Sequence, residues 1–205
     1  MMGADMAAKT QTRPLPPPRE RIIAAAADLF QKQGIRGVGV EAIAEAAGTN
    51  KMTLYRHFAS KDELIAEWAR GIVAQKEAEW EELSAKHQDD AQGLLVEWSR
   101  RVAAKLETME KRGSMLANAL AELPEKDHPA RRVIQAHKLR EHKRVQRLCE
   151  EAGFQDPDLS ANLFYLLLEG AFSCVQCVGV KKFGEDLVRL VDLMVENART
   201  QQRRR

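Results

Sequence analysis

A run of side chains that can donate hydrogen bonds or stack on a base lies between residues 50 and 57. The chain reads EAIAEAAGTNKMTLYRHF over residues 41–58, which predicts a helix, a glycine-led turn and a second short helix. The side chains expected to point outward are those of Asn50, Lys51, Thr53, Tyr55, Arg56 and His57. A short polar helix held by another across a tight turn can enter a DNA major groove about 12 Å wide, where base edges present distinguishable donors and acceptors. The spacing therefore predicts a helix-turn-helix that reads duplex DNA.

His137 and Glu141 form a second candidate for chemistry, because they lie four residues apart on one face of a predicted helix. The apolar residues on this face are Ile134, Val145 and Leu148. An ionisable group that points inward is costly unless it is paired, which favours a partner or a wet cavity that could bind a small molecule. The alternative is that the pair faces solvent, since the same helix carries Arg140, Arg144 and Arg147. Both interpretations stay open from the sequence.

Cys174 and Cys177 have the C-x-x-C spacing of some metal and redox sites. A zinc site needs four ligands, and no second Cys/His pair is suitably spaced. We therefore expect both cysteines to be small buried hydrophobes, and we expect no metal and no cofactor.

The composition favours a soluble globular chain with a basic N-terminal third. The 205 residues hold 32 Lys+Arg against 30 Asp+Glu and are 44% hydrophobic, which excludes fibrous, collagen-like and wholly disordered chains. Residues 1–61 carry nine Lys/Arg and five Asp/Glu. The N-terminus lacks the apolar core of a signal peptide, and the longest apolar stretch, residues 161–178, is interrupted by polar residues. A cytoplasmic protein without a membrane span is the expectation.

Apolar residues recur at helical spacing from Arg19 onward, without a run of alternating β-branched residues. The fold class expected is all-α, with an N-terminal three-helix helix-turn-helix domain and a C-terminal bundle of about five to six helices. The predicted helices cover about Arg19–Gln33, Val40–Ala47, Lys51–His57, Ser60–His87, Asp90–Arg112, Ser114–Leu123, Pro129–Ala152, Asp156–Val178 and Gly184–Arg199. Ser60 to Glu63 fits a capping box, and Asp156-Pro157 fits an N-cap followed by a first-turn proline.

The run from Arg19 to Leu64 resembles the DNA-binding domain of the TetR/AcrR family of one-component repressors. Three pieces agree in order and spacing, namely AAADLF, IAEAAG and TLYRHFASKDEL. The resemblance implies that the helix over Lys51–His57 reads the groove, that Tyr55 and His57 reach phosphates, and that Lys61 holds a phosphate. A lysine beside the free N–H groups at the start of a helix is also a good anion seat on physical grounds.

Two positions depart from the family pattern. Gly39 stands where relatives usually carry Ser or Thr, so a hydroxyl contact to the DNA backbone is missing. Met52 stands where relatives often carry glycine, which puts bulk at the groove face and predicts a preference for thymine methyl groups near it. The DNA-binding residues expected are therefore Asn50, Lys51, Met52, Thr53, Tyr55, Arg56, His57 and Lys61.

A regulator of this kind also needs an input, and the C-terminal helices are predicted to supply it. A small-molecule cavity generally has apolar walls and a few convergent polar groups. The residues expected to bind an effector are Trp98, Met115, Ala119, His137, Glu141, Phe164, Leu168, Glu169 and Phe172. For the apolar members, ordinary core packing is the alternative. The expected division of the chain is a flexible Pro-rich arm at 1–18, the helix-turn-helix domain at 19–64, an effector-binding and dimerisation domain at 65–200, and a basic tail at 201–205.

Dimerisation is expected because one short helix buries too little surface for tight specific binding, whereas a two-fold dimer reads two half-sites of a palindrome. The predicted interface lies on the last two helices and comprises Leu163, Leu167, Gly170, Ala171, Leu187, Val191 and Met194. The predicted function is a homodimeric repressor that binds a palindromic operator in double-stranded DNA and is released by an unknown small-molecule effector. Two alternatives are a helical-bundle enzyme using His137 and Glu141 as acid and base, and a DNA-binding protein without an effector.

Overall fold

The computed structural model describes residues 15–108, 113–179 and 182–202, and all regular secondary structure in these ranges is helical. The described helices are α1 (Pro18–Gln33), α2 (Val40–Ala46), α3 (Lys51–His57), α4 (Lys61–Ala85), α5 (Ala91–Thr108), α6 (Met115–Glu122), α7 (Pro129–Glu151), α8 (Pro157–Val178) and α9 (Phe183–Gln202). The predicted all-α class, with an N-terminal helix-turn-helix and a C-terminal helical bundle, is confirmed.

Helix starts follow the capping residues that the sequence predicts. The hydroxyl of Ser60 accepts a hydrogen bond from the Glu63 N–H at 3.1 Å, and the carboxylate of Asp156 accepts one from the Leu159 N–H at 3.0 Å. Each cap satisfies one of the N–H groups that the first helical turn leaves free. Helix α1 begins at Pro18, which the sequence assigned to the arm, because the fixed φ of proline suits a first turn.

Three predicted features lie wholly or partly outside the described residues. These are the first fourteen residues of the arm, the end of the fifth helix at 109–112, and residues 203–205 of the tail. Residues 15–17 are exposed and have no regular structure. Helix α9 continues to Gln202, so it includes the first two residues of the expected tail.

Two hydrophobic clusters organise the chain. The first joins α1, α2, α3 and the first half of α4 to α6 and the start of α7, and its fully buried members include Ile22, Ile43 and Leu54. The second joins the end of α4 to α5, α7, α8 and α9, around Leu95, Phe164 and Val191. Helices α4 and α7 therefore belong to both clusters, and α4 runs unbroken through the expected domain boundary at residue 64.

Helix α8 presents an apolar face that the other described residues leave uncovered. Leu159, Leu163 and Leu166 are exposed there, with Leu166 at 69% exposure. By length and composition alone, α8 is also the one helix of the described ranges that could cross a membrane. Its polar side chains are used in packing, since Glu169 accepts a hydrogen bond from Lys138 of α7. Uncovered apolar surface of this kind is also typical of an interface between subunits.

Candidate nucleic-acid interface and ligand cavity

The turn between α2 and α3 is closed by Gly48 and Thr49. Gly48 has φ +62°, a left-handed conformation that glycine adopts without strain. The Thr49 N–H then bonds back to the carbonyl of Ala44 at 2.9 Å. Leu54 is 0% exposed and fixes α3 onto the first hydrophobic cluster. One side of α3 is thereby held to the core, and the other side is left to solvent.

The outward side of α3 carries Lys51, Met52, Tyr55, Arg56 and His57, all exposed. Met52 is 70% exposed, more than Tyr55 at 43%. Donors, a cation and an aromatic ring side by side match what base edges and phosphates require.

Asn50 and Thr53 have structural roles at the start of α3. The Asn50 side-chain oxygen accepts a hydrogen bond from the Thr53 N–H at 2.9 Å, which caps the helix. Thr53 is half-buried. The amide oxygen of Asn50 is therefore occupied, while its NH₂ group can still donate to DNA.

Lys51 is held by a carboxylate of α2. Its ammonium lies 2.5 Å from Glu41 Oε1, and this hydrogen bond raises the pKa of Lys51 and lowers the pKa of Glu41. Because both side chains are exposed, water weakens the pair. A DNA phosphate must compete with Glu41 for this lysine.

Lys61 joins α4 to the loop between α1 and α2. Its ammonium donates a hydrogen bond to the Ile35 carbonyl at 2.8 Å, and burial lowers the pKa of the lysine. The same loop is held by α6, since Glu122 Oε2 accepts a hydrogen bond from the Arg36 N–H at 2.9 Å. A lysine has three donors, so Lys61 can still bind a phosphate.

The second half of α4, with α5, α7 and α8, encloses a cavity of about 80 Å³, here called the inner cavity. Its wall is formed by Lys76, Glu79, Trp80, Leu83, Trp98, Arg101, Val102, Lys105, Ser114, His137, Lys138, Glu141, Arg144, Leu168, Glu169 and Phe172. A second space of about 470 Å³, here called the vestibule, adjoins it. The two spaces share Lys76, Glu79, Lys105, Ser114 and Phe172.

Six of the nine residues expected to bind an effector line the inner cavity, namely Trp98, His137, Glu141, Leu168, Glu169 and Phe172. Phe164 lies behind the cavity wall, with its ring 5.5 Å from that of Trp98. Ala119 is buried against the N-terminal cluster instead. Met115, expected to point inward, is exposed and lines the vestibule, because the inward face of the short α6 is formed by Leu116 and Ala119.

His137 is 1% exposed, so the solvent-facing alternative for this residue is wrong. Its Nδ1 lies 2.9 Å from Glu77 Oε1, and two of the three arginines that suggested a solvated face also approach Glu77. Arg144 pairs with this carboxylate, and Arg140 lies 3.7 Å from it. Burial lowers the pKa of His137, although Glu77 acts in the opposite direction. Within the described part of the chain, His137 Nε2 is buried without a hydrogen-bond partner.

Glu141 is bound to Lys138 and not to His137. The Lys138 ammonium lies 3.2 Å from Glu141 and also pairs with Glu169. Although burial acts in the opposite direction, the two carboxylates raise the pKa of Lys138. The Tyr165 hydroxyl donates to Glu141 at 3.4 Å. The acid-base pair of the enzymatic alternative is therefore not assembled in this structure.

The sequence reasoning missed the contribution of α4 to the cavity. Ile72 belongs to the apolar stripe of α4 that packs on the first cluster. Continued at helical spacing, it reaches Lys76, Glu79, Trp80 and Leu83, all of which line the inner cavity. Because Lys76 and Glu79 are charged, the stripe does not look apolar at these positions. Trp80 and Leu83 are the apolar residues that indicate its continuation.

Three residues expected at the dimer interface are already covered inside the protomer. Leu187 and Val191 are 2% and 1% exposed, and Ala171 is also buried. Leu187 and Val191 face inward because α9 packs closely on α5, where Gly184 approaches Ala103. Ala171 of α8 is buried in the second cluster. The outward residues of α9 are instead Leu190 and Leu193, and those of α8 include Leu163. Leu167, Gly170 and Met194 are half-buried.

The two cysteines of α8 are not both buried, which corrects the sequence expectation. Cys177 is exposed and Cys174 is half-buried, and both thiols are free. They lie beside the inward stripe of α8, which runs through Phe164, Leu168 and Val175. Among the residues with described positions, no group of three or more His, Cys, Asp or Glu side chains could hold a metal ion.

Comparisons with known proteins agree with this arrangement. Residues 22–68 match the family model described as bacterial regulatory proteins, tetR family. The HTH-type transcriptional repressor KstR2 of Mycobacterium tuberculosis H37Rv is 40% identical over 55 residues, which cover 27% of this chain and 28% of that repressor. The chain thus matches little more than a quarter of the length of this curated relative.

Solved structures extend the likeness over nearly the whole chain. SCO4454, a TetR-family transcriptional regulator from Streptomyces coelicolor, superposes with a TM-score of 0.81 at 25% identity, covering 88% of this chain and 95% of that one. The sav143 protein of Streptomyces avermitilis MA-4680 gives a TM-score of 0.75 at 29% identity, covering 89% and 98%. Residues 22–68 thus match the tetR family of bacterial regulatory proteins in sequence, and most of the chain has the fold of solved TetR-family regulators.

Proposed function

We propose that the protein is a one-component transcriptional repressor that binds a palindromic operator as a homodimer and releases it when a small molecule occupies the inner cavity. The observation that supports this proposal is that α4 contributes to both the DNA-binding unit and the inner cavity. Its first half packs under the helix-turn-helix, and its second half lines the inner cavity. A ligand that moves the second half would therefore move the DNA-binding unit.

The DNA-binding step is assigned to the outward face of α3 and the start of α4. Affinity would come from phosphate contacts by the cations and Tyr55, and specificity from side chains that reach base edges. The residues proposed for these contacts are Asn50, Lys51, Met52, Thr53, Tyr55, Arg56, His57 and Lys61. Repression is proposed because the similar KstR2 proteins are named as repressors.

The dimer is proposed to form through the outward faces of α8 and α9. Leu163 and Leu166 of α8, with Leu190 and Leu193 of α9, offer apolar surface that the protomer leaves in water. Gly170 has no neighbouring atom within 4 Å of the position a Cβ would take, so this part of α8 can approach a second copy closely. Two copies related by a two-fold axis would present their α3 helices to half-sites roughly 34 Å apart.

Release is proposed to follow from a change in the spacing of the two α3 helices. The effector can shift this equilibrium only by the difference between its affinities for the two states, typically about 1–3 kcal/mol. Glu122 supplies a second link between the units, because it joins α6 to the loop that precedes α2. Operator binding of this kind places the protein in the cytoplasm, with no catalytic role.

Fluorescence anisotropy with labelled duplexes from the flanking chromosomal region tests the proposal. Arg56→Ala removes an exposed cation of α3, and Arg100→Ala removes an exposed cation of α5 as the matched control. We expect Arg56→Ala to weaken binding at least tenfold, a loss of about 1.4 kcal/mol, and Arg100→Ala to bind as the parent does. Equal affinity of the two variants, or no binding by the parent at low salt, would contradict the proposal.

A further inference from the structure

The carboxylates of the inner cavity already have cationic partners. Glu79 binds Lys105, while Glu141 and Glu169 share Lys138. A cationic ligand would have to displace one of these lysines before it found a free carboxylate. The wall therefore disfavours a cation.

One cation of the wall lacks such a partner. Over the described ranges, Lys76 makes no ion pair or hydrogen bond, although it lines both the inner cavity and the vestibule. Burial lowers the pKa of Lys76, and the nearby Glu141 and Glu79 only partly compensate. An anionic group beside the Lys76 ammonium would supply a partner that the described residues do not.

His137 supplies a second unmet requirement in the same wall. Its Nδ1 is turned to the Glu77 carboxylate, which can only accept, so in the neutral ring the proton lies on Nδ1. Nε2 is then a buried acceptor, and it has no donor among the described residues. A ligand hydroxyl is a donor that fits this atom.

Part of the remaining wall is aromatic. The rings of Trp80 and Trp98 lie 4.9 Å apart, edge to face, and Phe172 and Leu168 complete the surface. Flat rings stack on such a surface with offset or edge-to-face geometry. The inner cavity is the smaller space, about 80 Å³ against about 470 Å³ for the vestibule, so a small ring suits the first and any larger part of a ligand would extend into the second.

We propose that the effector is a hydroxylated aromatic acid, a single ring whose carboxylate pairs with Lys76 and whose hydroxyl donates a hydrogen bond to His137 Nε2. This inference rests on the proposed function only in naming the cavity ligand as the effector. The ring lies against Trp98, and its carboxylate faces the vestibule. The chemistry of the site thus selects an acid over an amine of the same shape.

Isothermal titration calorimetry on the full-length protein tests this selection with four probes. These are 3-hydroxybenzoate, benzoate without the hydroxyl, phenol without the carboxylate, and benzylamine with the opposite charge. We expect 3-hydroxybenzoate to bind at least tenfold more tightly than benzoate or phenol, and benzylamine not to bind measurably. Equal or tighter binding of benzylamine overturns the proposal.

Two substitutions separate the contributions of the two residues. Lys76→Met removes the charge while keeping the length of the side chain. We expect this variant to bind 3-hydroxybenzoate at least tenfold more weakly than the parent and to bind phenol with unchanged affinity. His137→Asn keeps a donor toward Glu77 but removes Nε2, so we expect the variant to bind 3-hydroxybenzoate and benzoate equally. Lys143→Met, on the exposed face of α7, is the matched control. If Lys76→Met binds the acids as the parent does, the carboxylate assignment is wrong.

Circular dichroism shows whether each variant is folded, and Lys76→Arg, which keeps the charge, should retain the acid preference. If Lys76→Met does not fold, the ranking of the four probes on the parent decides the proposal. Operator binding is measured separately, which keeps the two failures apart. A protein that binds operator but prefers no acid refutes the ligand assignment alone, whereas one that binds the acid but no DNA refutes the repressor.

Discussion

The exposed face of α3 and the wall of the inner cavity both carry lysine–glutamate pairs, but the pairs differ in how much water reaches them. The side chains of Lys51 and Glu41 on the DNA-binding unit are 53% and 67% exposed, so water screens their pair and a phosphate can replace the carboxylate. Those of Lys138 and Glu141 in the cavity wall are 19% and 14% exposed, so each depends on its partner. Exposed charges such as Lys51 can exchange their partner for a phosphate, whereas buried charges such as Lys138 and Glu141 stay paired and form the wall of the cavity.

The two units should also differ in how substitutions affect their stability and their binding. The N-terminal cluster is apolar and holds α3 through the buried Leu54, so the stability of this unit comes from its interior while its polar side chains remain on the surface. In the C-terminal unit, part of the interior is given to polar groups around a cavity. Substitutions should therefore separate stability from binding in the first unit and couple them in the second.

The largest expected effect lies in the N-terminal core. Leu54→Ala removes the buried side chain that fixes α3 and is expected to destabilise the protein by about 2–5 kcal/mol. Met52→Ala, on the opposite side of the same helix, should change stability by less than about 0.5 kcal/mol while altering the DNA sequence selected from a random pool. Urea denaturation measures the first effect and binding selection the second. A Met52→Ala variant as unstable as Leu54→Ala would remove the distinction between the two faces of α3.

The next effect concerns the carboxylate behind the cavity. Glu77→Ala leaves Arg144 and His137 without their acceptor, and because these groups are largely buried we expect a loss of about 1–3 kcal/mol in unfolding free energy. Glu82→Ala breaks an exposed pair with Lys86 and should destabilise the protein much less, because water already screens this pair. Chemical denaturation of both variants makes the comparison. Equal losses would show that burial does not separate the two kinds of charge.

A smaller effect depends on pH. Burial lowers the pKa of His137 despite the facing Glu77 and Glu141, and Lys76 acts in the same direction as burial. The unfolded chain then binds more protons than the folded one below pH 6.5, so stability falls as the pH falls from 6.5 toward the folded pKa. His137→Asn should lose less stability than the parent between pH 7.5 and pH 5.5. His57→Asn, exposed on α3, is the control, and urea midpoints at the two pH values are the measurement.

The smallest expected effect is on operator affinity, at the exposed pair of Lys51 and Glu41. Glu41→Gln frees Lys51 and removes a negative charge beside the DNA-binding face, so operator affinity should rise a few-fold. One additional phosphate contact would steepen the dependence of log K on log salt by about 0.9. Anisotropy titrations over a range of salt concentrations measure both changes. Weaker binding by Glu41→Gln would mean that Glu41 positions Lys51 for DNA instead of competing with it.

Local signals predicted the helices and the DNA-binding unit well. Ser60 and Asp156 cap their helices through hydrogen bonds three residues away, a range over which sequence patterns are informative. The helix-turn-helix depends on spacing within one short segment. Both features need no knowledge of distant parts of the chain.

The cavity and the outer surface depend on distant partners, and there the sequence was less informative. Glu77 and His137 are 60 residues apart, so periodicity in α7 alone could not show that the histidine is buried and paired. In α9, Leu187 and Leu190 are both apolar, and only the packing on α5 decides that Leu187 faces inward. An amphipathic pattern identifies an apolar face but not which neighbour covers it.

Hydroxyl-radical footprinting tests the central claim most directly, that two copies of the α3 face bind one DNA duplex. The duplex is taken from the flanking chromosomal region and the parent protein is compared with Arg56→Ala. We expect two protected segments related by two-fold symmetry, with centres about one helical turn or a whole multiple of it apart, and we expect both to be lost in Arg56→Ala. Uniform cleavage with the parent at low salt, or a single protected segment bound by a monomer, would contradict it.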